Sequence, residues 1–219
     1  MALLELNDIC KSYKTGDSTT VVLKDLCFSV EKGELVAIMG KSGCGKTTLL
    51  NILAGIDYPD SGRYFFDEKE VVIRKTADGI SFRRNRIGVI LQHFALVNDY
   101  TVYENIELGL WETKDTKNEQ KEKVDEVMDR LGILNLKNQY PDKLSGGEKQ
   151  RVAIGRAIVC NPMLVLADEP TGSLDTETEK EIINIINDLN KKLGMTFVIV
   201  THDEDVATSC NRKIILQKL

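Results

Sequence analysis

Five short apolar runs predict buried strands along this chain. The runs are ELVAIM (34–39), RIGVIL (86–91), MLVLADE (163–169), TFVIV (196–200) and KIILQ (213–217). Runs of this length, bounded by turn residues, are typical of buried strands. Stretches with helical spacing separate them, such as residues 47–54 and residues 182–189. Strands that alternate with helices predict a parallel sheet with crossover connections.

The amino-terminal part of the chain has a different pattern. LLELNDICKSY (3–13) and VVLKDLCFSV (21–30) predict two strands around a polar loop. GRYFFDEKEVV (62–72) predicts a hairpin that turns near residues 67–69. We therefore expect an N-terminal antiparallel β subdomain beside the parallel sheet.

Residues 93–160 interrupt the alternation of strands and helices. TVYENIELGL and NEQKEKVDEVMDRLGI both have helical periodicity, and the second places apolar residues at i, i+3, i+4 and i+7: Val124, Val127, Met128 and Leu131. That spacing predicts a helix packed on a core, with its charges on the solvated face. The predicted fold class is α/β, with a mainly parallel sheet and a helical subdomain inserted at about 93–160 in a single domain of residues 1–219.

Composition narrows the class of protein. The 219 residues carry a net charge of -5, and 42% of them are hydrophobic, which favours a soluble core and disfavours nucleic acid as a partner. No apolar run approaches the roughly 20 residues needed to span a bilayer, and the N-terminus lacks the pattern of a secretory signal. We therefore expect a cytoplasmic protein whose membrane role, if any, comes through a partner. Five cysteines without CxxC spacing predict reduced thiols and no cysteine metal site.

The segment GKSGCGKT, residues 40–47, fits the pattern G-x-x-x-x-G-K-[ST] between a predicted strand and a predicted helix. The glycines let backbone N–H groups surround a phosphate, and the start of the helix adds partial positive charge. Lys46 is expected to reach the β- and γ-phosphates and Thr47 to bind Mg²⁺. The predicted nucleotide-binding set is Gly40, Lys41, Ser42, Gly43, Cys44, Gly45, Lys46, Thr47 and Thr48. The parallel sheet is thus predicted to be a P-loop NTPase core.

Two acids end the strand MLVLADE at the edge where open α/β sheets bind ligands. Asp168 is expected to hold Mg²⁺, mostly through water, and Glu169 to polarise the attacking water. An acidic strand end that leads into a helix is common without any catalytic role. Beside a P-loop, the catalytic interpretation is favoured.

Gln92 and His202 follow two other predicted strands at the same edge. An amide can contact both Mg²⁺ and the nucleophilic water, and an imidazole can donate a hydrogen bond to a γ-phosphate oxygen. A single glutamine or histidine is more often structural, so the catalytic interpretation of these two residues depends on their position at this edge. His93 lacks this support and is interpreted as structural.

A second segment, KLSGGEKQR (143–151), also predicts a helix start that holds an anion. Ser145 is expected to cap the helix, Gly146 and Gly147 to let a phosphate approach, and Glu148 belongs to the same set. Tyr13 is either a half-buried strand aromatic or a platform that stacks on an adenine ring.

In this order, these motifs resemble the nucleotide-binding subunit of an ATP-binding cassette (ABC) transporter over nearly the whole chain. The resemblance implies Walker A at 40–47, the Q-loop at Gln92, the signature LSGGEKQ at 144–150, Walker B ending at Asp168 and a D-loop ending at Asp175. It also implies that two subunits pair head to tail when ATP binds, so that Ser145 and Gly147 contact the nucleotide of the partner. The implied cofactors are ATP and Mg²⁺, and the implied partners are integral membrane permease subunits.

Within the family, the chain resembles the macrolide-export, lipoprotein-release and bacitracin-resistance group, and the bacteriocin or antimicrobial-peptide export ATPases within it. Three residues depart from the usual pattern: Lys41 replaces proline, Cys44 replaces serine and Gly155 replaces alanine. Cys44 places a thiol in the phosphate loop and suggests redox sensitivity. Gly155 is expected to loosen its helix by up to about 1 kcal/mol.

The resemblance leaves a choice of function. The favoured hypothesis is an ATPase that powers export, located on the inner face of the cell membrane through a permease. A subunit that transmits its nucleotide state to a membrane partner without transport is the alternative. A cassette without a membrane partner is disfavoured, because the chain holds one cassette and has no room for a long coiled coil. A docking surface for the permease is expected near Gln92, formed by Phe94, Leu96, Val97, Val102 and Tyr103.

Overall fold

A computed structural model describes residues 2–16, 18–73, 76–111 and 113–218. Its strands are β1 (Ala2–Thr15), β2 (Ser18–Glu31), β3 (Leu35–Met39), β4 (Ser61–Phe66), β5 (Lys69–Glu70), β6 (Ile87–Ile90), β7 (Leu164–Asp168), β8 (Thr196–Val200) and β9 (Arg212–Ile215). Its α-helices are α1 (Lys46–Leu53), α2 (Thr76–Arg83), α3 (Val102–Glu107), α4 (Lys117–Arg130), α5 (Gly146–Ile158), α6 (Thr176–Leu193) and α7 (Glu204–Ser209). Short 3₁₀ turns lie at Leu108–Leu110, Leu134–Leu136 and Pro141–Lys143.

The strands form two sheets, as the fold class predicted. An antiparallel sheet has the order β2-β1-β4-β5, and a parallel sheet has the order β6-β7-β8-β3-β9. The hairpin from β4 to β5 turns at Asp67 and Glu68, which both have positive φ, as two-residue hairpins with a right-handed twist require.

Alternate residues of the parallel strands face two separate parts of the core. In β7, Leu164 and Leu166 pack with β1, β2 and α1, whereas Val165 and Ala167 pack with the helices on the other face. Both faces are covered, which explains why these strands are apolar throughout.

In the sequence, the helices α3, α4 and α5 come between β6 and β7, where the helical segment was expected. Val124, Met128 and Leu131 of the predicted stripe are buried, and Val127 packs against the same cluster. Whether this segment forms a separate subdomain at 93–160 stays a prediction.

Helix α2 was not predicted, because its sequence has no apolar stripe. Gly79 is its buried residue, and a Cβ at that position would lie 2.0 Å from the carbonyl oxygen of Gly55. A close backbone approach at Gly79 and edge-to-face contacts of Phe82 with Tyr64 and Phe66 hold this helix in place.

Candidate functional site

The phosphate loop connects β3 to α1, and two of its glycines are required by the backbone. Gly45 has φ of 98°, and a Cβ there would lie 2.9 Å from side-chain atoms of both Leu23 and Val22. A Cβ on Gly40 would lie 2.5 Å from Cys44 Sγ and 2.6 Å from a backbone carbonyl. A larger residue at either position would have to displace its neighbours and change the shape of the loop.

Helix α1 begins without the groups that usually complete a helix start. No side chain in the described part of the chain caps it, and its first turn has no acidic residue. Its first N–H groups therefore remain available, and the helix dipole adds partial positive charge at the same point. This arrangement suits an anion such as a phosphate.

The side chain of Lys46 lies across the loop. Its ammonium group donates a hydrogen bond to the carbonyl oxygen of Gly40 at 2.8 Å, and the carbonyl oxygen of Lys41 is 3.4 Å away. A phosphate in the loop would exchange these neutral acceptors for charged oxygens, which bind an ammonium group more strongly.

The predicted residues at the strand ends meet the loop in one cleft of about 470 Å³. The cleft is lined by Val22, Gly40, Ser42, Gly43, Gly45, Lys46, Thr47, Thr48, Gln92, Asp168, Glu169 and His202. Val22 was missed, because it belongs to β2 and to no motif. Gln92 follows β6 by two residues and lies near Gly172, where a Cβ would be 3.7 Å from its amide nitrogen.

Glu169 and His202 form a pair at the ends of β7 and β8. The backbone of Glu169 has φ of 47°, an unusual conformation for a residue other than glycine, and its N–H donates to the carbonyl oxygen of Val200. This turn aims the carboxylate at His202, whose Nδ1 lies 2.9 Å from both carboxylate oxygens. The hydrogen bond with Glu169 and the charge of that carboxylate raise the pKa of His202.

Asp168 lies beside this pair and deeper in the protein. Burial raises the pKa of Asp168, the charge of Glu169 raises it further, and Lys46 acts in the opposite direction. A cation at this point would favour the charged form of the carboxylate. The hydroxyl of Thr47 and the carboxylate of Asp168 line the same cleft and are the oxygen ligands that Mg²⁺ prefers, so the donor set fits that ion.

The signature segment lies outside this cleft, and side chains of the same segment form hydrogen bonds with the backbone at the start of α5. Ser145 caps α5 by accepting a hydrogen bond from the N–H of Glu148, whose carboxylate accepts one from the N–H of Ser145 at 2.8 Å. Glu148 was predicted to bind nucleotide, but its carboxylate completes this capping box. A Cβ on Gly147 would lie 2.5 Å from the side chain of Thr178, so packing within the chain already requires glycine there. A Cβ on Gly146 would lie 3.1 Å from Leu174.

Other predicted residues have different positions. Tyr13 is 39% exposed and donates a hydrogen bond from its hydroxyl to Asp57. The side chain of Lys41 is exposed and does not line the cleft. Cys44 is only 2% exposed, and this burial argues against the predicted redox sensitivity.

Comparison with known proteins gives a consistent result. The family model described as ABC transporter matches residues 23–172. The bacitracin export ATP-binding protein BceA of Halalkalibacterium halodurans is 42% identical over 217 residues, which cover 99% of this chain and 86% of the relative. The lipoprotein-releasing system ATP-binding protein LolD of Idiomarina loihiensis is 38% identical over 216 residues, which cover 99% and 95%.

Solved structures agree with these relatives. The dimeric structure of MJ0796, a bacterial ABC transporter cassette, has a TM-score of 0.88 at 36% identity, covering 98% of this chain and 94% of the other. A dimeric post-hydrolysis state of the same cassette, bound to ADP and Pi, has a TM-score of 0.87. The predicted resemblance and the predicted fold class are confirmed.

Proposed function

The chain belongs to the ABC transporter family, and from this premise we propose that it powers a membrane permease that exports a peptide or antimicrobial compound. It is an ABC-type ATPase, with ATP as substrate and Mg²⁺ as the metal ion. One observation carries the assignment of residues to ATP hydrolysis: the phosphate loop, Asp168 and the Glu169–His202 pair share a single cleft.

The residues of this cleft have different roles in the proposed hydrolysis. The open N–H groups of α1 and the ammonium group of Lys46 bind the phosphates, and Thr47 and Asp168 would hold a magnesium ion, with Gln92 beside them. A magnesium ion held there would supply positive charge against the charge that develops on the phosphate oxygens. Glu169 orients the attacking water and takes its proton, while His202 holds the carboxylate and faces the terminal phosphate.

The position of the signature segment supports a two-fold dimer in which each subunit covers the nucleotide of the other. Among the described residues that line the cleft, none belongs to the signature, so a nucleotide there is exposed on one side. We propose that a second copy covers that side with Ser145 and Gly147 when ATP is bound. The dimers of the MJ0796 cassette support this arrangement.

A groove beside the Q-loop is the proposed docking site for the permease. It has a volume of about 400 Å³ and lies between β6 and the helical segment, with Val89, Gly109 and Arg156 in its wall. The five residues predicted to form the docking surface do not line this groove, and one of them, Val102, is fully buried in the core. Phe94, Leu96 and Tyr103 are half-buried, Val97 is 38% exposed, and Trp111 beside the groove is 76% exposed.

The groove is connected to the signature helix. Arg156 of α5 donates hydrogen bonds to the carbonyl oxygens of Phe94 and Ala95, two residues with positive φ. A permease segment in this groove would therefore contact Arg156 of α5, which is hydrogen-bonded to the segment that follows Gln92. Ile80→Asp and Trp111→Asp, at two exposed residues of the groove, are expected to abolish copurification of the permease and to leave ATP binding intact. Retention of the permease by both variants would contradict the docking site.

The proposal of export rests on the relatives, whose names include bacitracin export and lipoprotein release. In the described part of the chain, no helix is long and apolar enough to cross a membrane, and we propose that the permease holds the subunit at the membrane. Transmission of the nucleotide state without transport is the second candidate. Transport of labelled peptide by the purified complex in vesicles would distinguish export from this alternative.

Glu169→Gln provides the test of the catalytic assignment. The amide keeps the shape of the side chain but removes the basic oxygen, so hydrolysis should fall by roughly 10²-fold or more. ATP binding should remain, because Lys46, Thr47 and Asp168 are unchanged, and an ATP-bound dimer should accumulate in size-exclusion chromatography.

The matched control is Lys46→Ala, which should fail to bind ATP and remain monomeric. The wild-type protein without nucleotide should also be mainly monomeric. Hydrolysis at the wild-type rate by Glu169→Gln would remove Glu169 from the mechanism and leave Gln92 or His202 to be tested next.

A further inference from the structure

A polar cluster beneath Tyr13 lies outside the phosphate cleft. Lys11 and Tyr13 both belong to β1, and both side chains reach the carboxylate of Asp57. The Lys11 side chain is only 7% exposed, yet it carries a charge. Its ammonium group donates to Asp57 Oδ1 at 2.8 Å and to the carbonyl oxygen of Tyr58 at 2.8 Å, and Asp60 lies 3.8 Å away.

Asp57 links this buried lysine to Tyr13. One carboxylate oxygen accepts the hydrogen bond from Lys11, and the other accepts a hydrogen bond of 2.7 Å from the Tyr13 hydroxyl. Burial acts to lower the pKa of Lys11, but the hydrogen bond and the charge of Asp57 outweigh it and raise that pKa overall. The pair is therefore charged at neutral pH and holds its geometry.

The ring of Tyr13 is fixed at two points. Its hydroxyl is held by Asp57, and the ammonium group of Lys11 lies over the ring, 5.2 Å from the centroid. A cation over an aromatic face is attracted by the ring and limits its tilt. Tyr13 remains 39% exposed, so part of the ring is still open to a ligand.

The anchor of the ring is attached to the helix of the phosphate loop. The N–H groups of Ile56 and Asp57 both donate to the carbonyl oxygen of Asn51, in the last turn of α1. One end of α1 therefore receives phosphates, and the segment after its other end holds Tyr13. A short helix is stiff along its axis, so the distance between the two ends is fixed.

We infer that Lys11 and Asp57 are positioning residues that hold Tyr13 as the platform for the base of the nucleotide, at a set distance from the phosphate loop. This inference rests on the proposed function and on stacking of Tyr13 on adenine, one of the two roles that the sequence leaves open for this residue. It assigns a functional role to an ion pair with a buried lysine, whose residues belong to none of the motifs of the cleft. The pair acts on binding of the base and leaves the chemistry at the γ-phosphate unchanged.

The test compares a ligand that has a base with one that lacks it. Binding of ADP and of inorganic tripolyphosphate is measured by calorimetry for Tyr13→Ala, Tyr13→Phe, Lys11→Met and Asp57→Asn. Stacking on an aromatic ring is worth about 1–3 kcal/mol per base, so Tyr13→Ala should weaken ADP binding by roughly 5- to 150-fold. The other three variants keep the ring but loosen it, and should weaken ADP binding by roughly three- to tenfold.

Tripolyphosphate should bind all four variants as it binds the wild-type protein. In ATPase assays the KM for ATP should rise with little change in kcat. Lys14→Met is the matched control, because Lys14 is an exposed lysine of the same strand, and it should change neither affinity.

Three outcomes would overturn an assignment, and they are distinguishable. Wild-type ADP affinity in Tyr13→Ala would refute the proposed stacking itself. Weak ADP binding by Tyr13→Ala with wild-type affinity in Tyr13→Phe, Lys11→Met and Asp57→Asn would leave stacking intact and refute the positioning role. Equal losses for ADP and tripolyphosphate in Lys11→Met would show that the ion pair only stabilises the fold. Tyr13→Phe keeps the test decisive if a charge variant fails to fold.

Discussion

The helices α1 and α5 both begin at a glycine-rich segment, but their first turns are completed in opposite ways. In α1 the N-cap is Gly45, with φ of 98° and no capping side chain among the described residues. In α5 the N-cap is Ser145, and Glu148 completes a capping box with it. Helix α1 therefore leaves donors for a ligand, whereas α5 satisfies part of its own.

This difference suits the start of α1 to bind a phosphate within one chain and the start of α5 to contact a nucleotide that another subunit holds. An uncapped helix start is less stable in isolation and gains stability when an anion binds, so α1 is suited to hold phosphates tightly within one chain. The start of helix α5 is partly satisfied without a ligand, so it can keep its shape before a partner binds. Its remaining donors and the exposed residue Ser145 are then left to contact a nucleotide held by another subunit.

The largest expected effect comes from a charge at the start of α5. Ser145→Asp and Ser145→Asn both supply a good N-cap, but only aspartate places a negative charge where the partner's γ-phosphate is expected. A like charge at an interface costs several kcal/mol, so hydrolysis by Ser145→Asp should be roughly 10²-fold below that of Ser145→Asn. ATP binding by the monomer should be equal in the two variants, as measured by calorimetry.

The control for this comparison is thermal unfolding, because aspartate would also face Glu148. Mixing Ser145→Asp with Lys46→Ala should restore part of the activity, since one of the two shared sites is then intact. Failure of the mixture to hydrolyse ATP, with both variants folded, would argue against sites shared between subunits.

A smaller effect is expected from glycines of the phosphate loop. Gly45→Ala forces a side chain into φ of 98° and places its Cβ 2.9 Å from Leu23 and Val22, so we expect a loss of about 2 kcal/mol in the free energy of unfolding. Gly43 has φ of 75° but no described atom within 4 Å of its Cβ position, so Gly43→Ala should lose only about 1 kcal/mol. Urea unfolding of both variants measures the difference, and equal losses would show that contacts at Gly45 do not matter.

Much of the fold could be predicted because its strands are short apolar runs bounded by turns. The strand RIGVIL, for example, is fixed by its own composition and appears as β6. Helix α2 could not be predicted, since Gly79 packs against the backbone of Gly55 and leaves no apolar pattern in the sequence. Its position depends on a contact with a distant segment of the chain.

In the candidate site, too, some features could be predicted from the sequence and others could not. The residues of the cleft occur in linear motifs whose spacing encodes their chemistry, so most could be named from the sequence. The contacts that orient them join distant segments and could not. Glu169 reaches His202 across 33 positions, and Lys11 reaches Asp57 across 46. The capping role of Glu148 was missed because the phosphate-binding interpretation of the same four residues was preferred.

The smallest expected effect is that of Gly155→Ala in α5, and it tests why this helix has glycine there. Alanine should gain about 1 kcal/mol in helix propensity, but its Cβ would lie 3.0 Å from Ile106 Cδ1 and 3.2 Å from Leu131 Cδ1. Both are side-chain tips that can shift slightly, so the two effects should nearly cancel, with a net change below about 0.5 kcal/mol. Ile106→Val removes Cδ1 but keeps Cγ1, which lies 3.2 Å from the Cβ position, so the crowding is reduced and in that background Gly155→Ala should stabilise the protein by up to about 1 kcal/mol. The four proteins of this cycle are compared by urea unfolding. If Gly155→Ala has the same effect with isoleucine and with valine at position 106, close packing with α3 is not the reason for glycine at position 155. The contacts of α5 with the rest of the subunit would then depend on the start of the helix rather than on its middle.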